Sequence, residues 1–173
     1  MVNSIRLWAR YNLATDEKVQ GLLTSLGPEA YVAPRNTYFK TLAALHLHYA
    51  QTYKFYQTMM RKNSDNRFFI SPLTEEGAEW KGSTLEEVCR TTLEYDKLYL
   101  TFSEAVTDAD LECFKTKRTM RNGKTYLLSL GDIVTQYQNH TTHHRGQLSQ
   151  LLDELGVEHD IGGLLVFAEE TTA

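Results

Sequence analysis

Residues 129–156 read SLGDIVTQYQNHTTHHRGQLSQLLDELG, and this stretch determines the fold class that the sequence predicts. Its apolar residues recur every three or four positions, which places them on one face of an α-helix. They are Leu130, Ile133, Val134, Tyr137, Leu148, Leu151, Leu152 and Leu155. Ser129 with Asp132 can cap the start of such a helix, and Gly156 is typical of a helix end. The stretch therefore predicts a helix with one buried face.

Three earlier stretches show the same periodicity, at about residues 4–26, 37–61 and 83–106. Gly27-Pro28 ends the first with a helix-stop signal, and Ser83 with Glu86 has the spacing of a capping box at the start of the third. Four helices with one apolar face each bury those faces best against one another. The sequence predicts an all-α four-helix bundle, in a single domain over residues 1–173.

Two connections are unusual. Residues 62–82 form a long predicted loop with several aromatic side chains, including Phe68, Phe69 and Trp80, and such loops are usually packed down. Between helices three and four, residues 114–120 and 124–128 flank Arg121-Asn122-Gly123, where Asn-Gly is a hairpin-turn signal. We therefore expect a small hairpin excursion before the last helix.

Composition excludes several classes of protein. The net charge of −4 does not favour nucleic-acid binding. The one basic cluster is interpreted as a solvated strand edge, and it comprises Lys115, Lys117, Arg118, Arg121 and Lys124. The N-terminal residues lack the profile of a secretion signal, and no run is long enough to span a membrane. Cys89 and Cys113 form no C-x-x-C pair, and Cys89 is interpreted as a core residue. We expect a cytoplasmic protein with no nucleic-acid or membrane partner.

His140 and His144 are the strongest chemical signal. One helical turn apart, they share a face, with Cβ atoms roughly 5–6 Å apart. Two imidazoles at that separation can both reach one cation at about 2.0–2.1 Å. His143 is rotated by about 100° and points elsewhere. Because the pair lies on the apolar face, it needs a partner there, and a metal ion would serve both side chains.

A third ligand is available on the second predicted helix. His48 lies one turn after Leu45 at the inward edge of the apolar face, so the helical phase favours it. His46, rotated away by about 160°, remains the alternative. Three imidazoles leave coordination positions open, as catalytic metal sites do, whereas structural sites are closed by four protein ligands.

Four other residues carry weaker predictions. Asn12 is expected to make a buried hydrogen bond, and lining a pocket is the alternative. Arg145 is expected either to pair with a carboxylate near the C-terminus or to be a surface charge. Gly146 weakens a helix, which indicates close packing against another helix. Gln147 is a candidate for orienting a ligand imidazole.

The residues resemble the DinB/YfiT-like family of metalloenzymes. Residues 140–148 (HTTHHRGQL) look like the signature of that family, residues 38–42 (YFKTL) with His48 and Tyr56 resemble its second helix, and residues 7–12 (LWARYN) resemble its first. The likeness is specific in the last helix and looser elsewhere.

The resemblance implies an up-down-down-up helical bundle, a homodimer, and metal ligands at His48, His140 and His144. Two departures concern the pocket more than the ligands. The family often has Trp where this chain has Tyr56, and Asn where it has Leu47. Because of these departures, the substrates of the family are a poor guide to the substrate of this chain.

The expected function is metal-dependent chemistry on a small-molecule substrate. Zn or Ni is the favoured ion, with Fe or Mn as alternatives, because imidazole suits several divalent metals. Related bundles include transferases that use low-molecular-weight thiols, which predicts a thiol-dependent S-transferase with a thiol cosubstrate. The alternatives are a metal-dependent hydrolase and a non-catalytic metal-binding or interaction protein.

Overall fold

The structure is a computed structural model that describes residues 1–75, 84–120 and 122–168. It contains five α-helices and two strands within those residues. They are α1 (Val2–Val32), α2 (Leu42–Asn63), α3 (Leu85–Ala105), α4 (Asp108–Cys113), β1 (Lys115–Thr119), β2 (Thr125–Ser129) and α5 (Leu130–Glu154). Short 3₁₀ turns occupy Pro72–Thr74 and Leu164–Phe167. The all-α prediction is confirmed. No helix in the described part of the chain combines the length and apolarity needed to cross a membrane.

The first helix shows why the predicted stop at Gly27 was only partly right. Gly27 adopts a φ of 79°, which breaks the helical path where the sequence indicated. Pro28 then restarts a short helical piece that ends at Val32. Proline is well suited to the first turn of a helix, because it lacks the N–H group that would be unpaired there. The chain therefore bends at Gly27 but remains helical.

The starts of α2 and α3 both differ from the predicted positions. Lys40 has a φ of 66°, so the backbone cannot be helical there, and α2 begins after the N-cap residue Thr41. At α3, the capping box is formed by Thr84 with Glu87, not by the predicted Ser83 with Glu86. Ser83 lies outside the described residues. Because both pairs have the same spacing, the sequence did not distinguish the two frames.

The predicted hairpin is present. β1 and β2 pair antiparallel, with Arg118 opposite Tyr126, and Gly123 in the turn has a φ of 75°. Arg121 lies outside the described residues. The loop after α2 packs Phe68 and Phe69 into the core, as expected, but exposes Ile70. Trp80 in the same loop also lies outside the described residues.

Helix packing brings the candidate site together. α1 packs against α3, and α2 packs against both α5 and α3. The core has one part rich in aromatic side chains and another that is mainly aliphatic. Its largest fully buried members are Tyr53, Tyr95, Tyr99 and Tyr137. Cys89 is buried, as expected. The close α2–α5 pair is what places His48 opposite the histidines of α5.

The end of β2 leads directly into α5 through a capping box. Ser129 Oγ accepts a hydrogen bond from the Asp132 N–H at 3.0 Å, and the Asp132 carboxylate accepts one from the Ser129 N–H at 2.8 Å. We expect Ser129→Ala to lower the free energy of unfolding by about 1 kcal/mol, because the first turn of α5 loses an acceptor. Urea unfolding measures the change.

Thr142→Ala is the matched control for this prediction. Thr142 is exposed on the same helix, where its hydroxyl only donates back to the Gln138 carbonyl. Its replacement should change stability by less than about 0.5 kcal/mol. Equal losses in both variants would show that the cap does not stabilise the start of α5.

Candidate metal centre

Three histidines from two helices converge at one point. The side chain of His48 on α2 meets those of His140 and His144 on α5, and one nitrogen from each ring lies within 4.8 Å of the other two. The His144 ring centroid is 4.6 Å from that of His48 and 4.6 Å from that of His140. His144 is buried, whereas His48 and His140 are half-buried. The structure therefore brings together the three residues that the sequence singled out.

Gln147 fixes the orientation of the His144 ring. The Nδ1–H group of His144 donates to the Gln147 side-chain oxygen at 2.8 Å. Because Nδ1 carries the proton, Nε2 keeps its lone pair, and it faces His140 Nε2 at 2.8 Å. In histidines that bind metals, the ring nitrogen that does not contact the metal typically makes a hydrogen bond of this kind. The predicted orienting role of Gln147 agrees with this contact.

The surroundings keep all three imidazoles neutral. Burial lowers the pKa of His144 to about 4, and repulsion from His140 and His48 also lowers it. The hydrogen bond that His144 donates to Gln147 acts in the opposite direction. Burial also lowers the pKa of His48. The pKa of His140 is lowered by burial and by repulsion from the neighbouring His48 and His143. Neutral imidazole is the form that ligates metals, so the site favours a cation over a proton.

The donor set fits a divalent transition metal. Two nitrogens bound to one ion at about 2.0–2.1 Å lie roughly 3 Å apart. The 2.8 Å separation of the two Nε2 atoms on α5 is close to that spacing. Imidazole nitrogen suits Zn, Ni, Fe and Cu, whereas Mg and Ca prefer oxygen ligands. The third donor, from His48, lies within 4.8 Å of both, so all three nitrogens are within reach of a single ion.

His46, the alternative ligand, lies elsewhere. It is 2% exposed, and its Nδ1 forms a hydrogen bond with the Tyr31 hydroxyl at 3.0 Å. Burial lowers its pKa to about 4, so it is neutral. His46 therefore packs against the end of α1 and takes no part in the three-histidine group. This contact could not be predicted from the sequence, because Tyr31 belongs to the helical piece beyond the predicted stop.

Aromatic rings flank the histidines. Phe39 packs against His48 and His144, with ring centroids 5.0 Å and 5.7 Å away. Tyr56 packs against His140 at 5.6 Å. These rings restrict the imidazole rotamers and shield one side of the group from water. Phe39 precedes α2, so helical periodicity could not identify it.

A buried polar network lies behind the three histidines. Arg145, next to His144, donates through Nη2 to Asn12 Oδ1 at 3.0 Å and to the Tyr49 hydroxyl at 2.7 Å. Its guanidinium lies 3.7 Å from the Asp16 carboxylate. The predicted buried hydrogen bond of Asn12 is therefore present. Both expectations for Arg145 were wrong, since it is neither on the surface nor paired near the C-terminus.

Asp16 is the acceptor at the centre of this network. Its carboxylate accepts hydrogen bonds from the hydroxyls of Tyr49 at 2.9 Å and Tyr53 at 2.6 Å. Burial and the nearby Asp16 hold the pKa of Asp96 well above its usual range, so Asp96 stays protonated and carries no charge. One buried cation thus neutralises one buried anion, and the network ties α1 to the backbones that carry His48 and His144.

Gly146 does not have the predicted role. It is exposed, and a Cβ atom at this position would meet no atom within 4 Å. Close packing against another helix is therefore not the reason for this glycine. The expected solvation of the basic cluster also needs a correction, because Arg118 is half-buried and lines a cavity.

Comparison with known families covers almost the whole chain. The DinB family model matches residues 1–171. The chain belongs to the DinB family. No curated protein and no solved structure matches it. The three histidines that resemblance to this family implied as ligands are those that the structure brings together. The homodimer and the small-molecule substrate stay predictions.

The Gln147 contact leads to a prediction about metal affinity in this DinB protein. We expect Gln147→Ala to weaken metal binding by about 10- to 100-fold, because His144 loses the acceptor that fixes its tautomer. Competition against a fluorescent zinc chelator measures the dissociation constant.

Gln150→Ala provides the comparison. Gln150 is exposed on α5 and donates to Glu154, away from the histidines. Its replacement should leave the affinity unchanged. If the wild type and Gln147→Ala bound zinc with equal affinity, Gln147 would have no role in metal binding.

Proposed function

We propose that this DinB protein is a metal-dependent enzyme that transfers a low-molecular-weight thiol to an electrophilic small molecule. The observation that supports the proposal most directly is the convergence of three neutral imidazoles, with the His144 lone pair aimed into the group by Gln147. Membership of the DinB family supports the metal. The thiol chemistry is the part that the proposal adds.

A catalytic site is favoured over a structural one by the number of ligands. Within residues 1–75, 84–120 and 122–168, the group contains three protein donors. Structural zinc sites are normally closed by four, whereas catalytic sites keep a position for water or substrate. His48 and His140 are also partly exposed, so a small molecule can approach from their side.

The chain's own residues prepare the site for this chemistry. A divalent ion held here would act as a Lewis acid, lowering the pKa of a thiol so that a thiolate is available near neutral pH. Gln147 holds the His144 ring, and Phe39 and Tyr56 limit access of water on their side. A drier site strengthens the electrostatic stabilisation of a thiolate.

Activity assays test the proposal directly. Protein purified without a metal-affinity step is loaded with Zn²⁺ or Ni²⁺ and given glutathione or cysteine with 1-chloro-2,4-dinitrobenzene. Metal-dependent formation of the thioether is expected, and His140→Ala should abolish it. If the loaded protein conjugates no thiol but hydrolyses p-nitrophenyl acetate in a metal-dependent way, the hydrolase alternative replaces the transferase.

Chelation separates a catalytic role from a structural one. We expect EDTA to abolish activity while the far-UV circular dichroism spectrum stays that of the folded protein, because the helices have their own core. A collapse of helical structure on chelation would instead identify a structural metal and a non-catalytic protein. Readdition of the ion should restore activity, which serves as the control for irreversible damage.

The long helices support a more specific architecture. We propose that α1, α2, α3 and α5 form an up-down-down-up bundle, which the α1–α3, α2–α5 and α2–α3 contacts support. We also propose that the protein is a homodimer. Sedimentation equilibrium tests the latter, and a mass of one chain at all concentrations would contradict it.

A further inference from the structure

The cavity that Arg118 lines is close to the three-histidine group. It has a volume of about 520 Å³ and lies between α2, the hairpin and the start of α5. Most of its wall is apolar and is formed by Phe55, Tyr56, Met59, Met120, Leu128 and Ile133. Cavities of roughly 300–1,000 Å³ with mainly apolar walls are typical of small-molecule sites.

Two residues connect this cavity to the histidines. Tyr56 lines the cavity, and its ring also packs against His140 at 5.6 Å. Gln136 lines it one helical turn before His140, and its amide donates to the Tyr56 hydroxyl at 3.4 Å. The inner end of a molecule in the cavity would therefore lie one side chain away from His140.

Arg118 places a positive charge in the wall of this cavity. Its guanidinium lies 5.0 Å from the centroid of the Phe55 ring and also contacts the Met59 sulfur. Among the described residues, no carboxylate forms an ion pair with Arg118. Asp132 is the one acid among the described residues of the wall, and it is occupied in capping α5. A cation that packs on apolar groups without an acidic partner is suited to bind an anion.

Further positive charge lies near Arg118. A neighbouring cavity of about 440 Å³ shares Phe55, Met59 and Arg118 with the first. Its described wall adds Lys54, and the acid among its described residues is Glu75. The combined groove is thus apolar next to the histidines and positive at its outer end.

We propose that this groove binds an amphipathic carboxylate, with its apolar body against Tyr56, Met59 and Leu128 and its carboxylate on Arg118. Such a molecule would be the electrophilic substrate of the enzyme, and this part rests on the proposed function. The binding itself does not, because it needs only the groove.

Matched ligands test the binding. The full-length protein, with and without bound zinc, is titrated with 4-phenylbutyrate and with the isosteric neutral 4-phenylbutanamide, and isothermal calorimetry gives both dissociation constants. We expect the carboxylate to bind on the order of 10-fold more tightly than the amide, since one charge-assisted pair distinguishes them. Arg118→Gln should reduce this ratio to near one, and Arg118→Lys should keep part of it.

Lys117→Gln is the control variant. Lys117 is exposed on the opposite face of β1, so its removal changes the net charge equally but leaves the groove intact. Its ratio should match that of the wild type. Equal loss in both variants would show that the preference comes from net charge, and it would overturn the proposal. So would a preference that appears only with zinc and survives Arg118→Gln, because the ion would then bind the carboxylate.

The two proposals fail in different ways. If carboxylate binding depends on Arg118 but the protein shows no metal-dependent turnover, the proposed enzymatic function is wrong. The proposal that the groove binds a carboxylate then still stands. Metal-dependent turnover with no difference between the two ligands would leave the enzyme standing and contradict the groove.

Discussion

His140→Ala is expected to yield a folded protein that no longer holds a divalent ion. The Nε2 atom of His140 faces that of His144 at 2.8 Å, so its loss removes one of the three converging donors. Loss of a hydrogen bond to a metal-binding side chain typically weakens metal binding by about 10- to 100-fold. Loss of the metal-binding side chain itself should therefore weaken it by more than about 100-fold. Elemental analysis after dialysis against a fixed zinc concentration measures the bound ion.

Thermal unfolding provides a second measurement of the same change. An ion that binds only the folded state raises the melting temperature as its concentration increases. Zinc should therefore stabilise the wild type and have little effect on His140→Ala. Far-UV circular dichroism checks that the variant keeps its helices, which is expected because His140 is half-buried and α5 has a long apolar face.

His143→Ala is the matched control for this experiment. It removes an imidazole from the same helix, but His143 is exposed and lies outside the converging group. The variant should retain metal at the level of the wild type. If His140→Ala also retained it, or if both variants lost it equally, the ligand set of His48, His140 and His144 would be wrong.

Helical periodicity was sufficient to predict the class of fold and the three histidines that converge. Both depend on local spacing, because side chains three or four positions apart share a face. Ser129 and Asp132 likewise identified the start of α5 from local capping chemistry. Local geometry could not predict the start of α2, which depends on a positive φ at Lys40, a residue that rarely marks such a turn.

The parts of the site that the sequence missed depend on contacts between distant segments. Arg145 was expected to be a surface charge or to pair with a carboxylate near the C-terminus. Nothing near it in the sequence shows that Asp16 lies opposite. The hydrogen bond that occupies His46 comes from Tyr31, beyond a break in α1. Arg118 belongs to a basic cluster that looked solvated, and only the packing of β1 against α2 places it in a cavity. Such pairs follow from packing of whole helices, which spacing does not determine.

Arg145→Met is expected to cause a large loss of stability. Arg145 and Asp16 have side chains that are 4% and 3% exposed, so removal of the guanidinium leaves the Asp16 carboxylate buried without its counter-charge. Loss of one partner from a buried ion pair typically costs about 3–5 kcal/mol. Domains are generally stable by only about 5–15 kcal/mol, so the variant should unfold at much lower urea concentration. Arg90→Ala, which breaks the exposed pair with Glu94, should cost less than about 0.5 kcal/mol.

A second substitution distinguishes loss of charge pairing from simple loss of packing. Asp16→Asn removes the negative charge but keeps an oxygen that can accept from Tyr49 or Tyr53. In the double variant Asp16→Asn/Arg145→Met no charge is left unpaired, so it should recover a substantial part of the stability that Arg145→Met loses. If the two losses instead add, the guanidinium stabilises the core through its packing on Tyr11, whose ring centroid lies 4.7 Å away. Recovery would show that an uncompensated buried charge, and not the absence of the ion pair, destabilises the helices that carry His48 and His144.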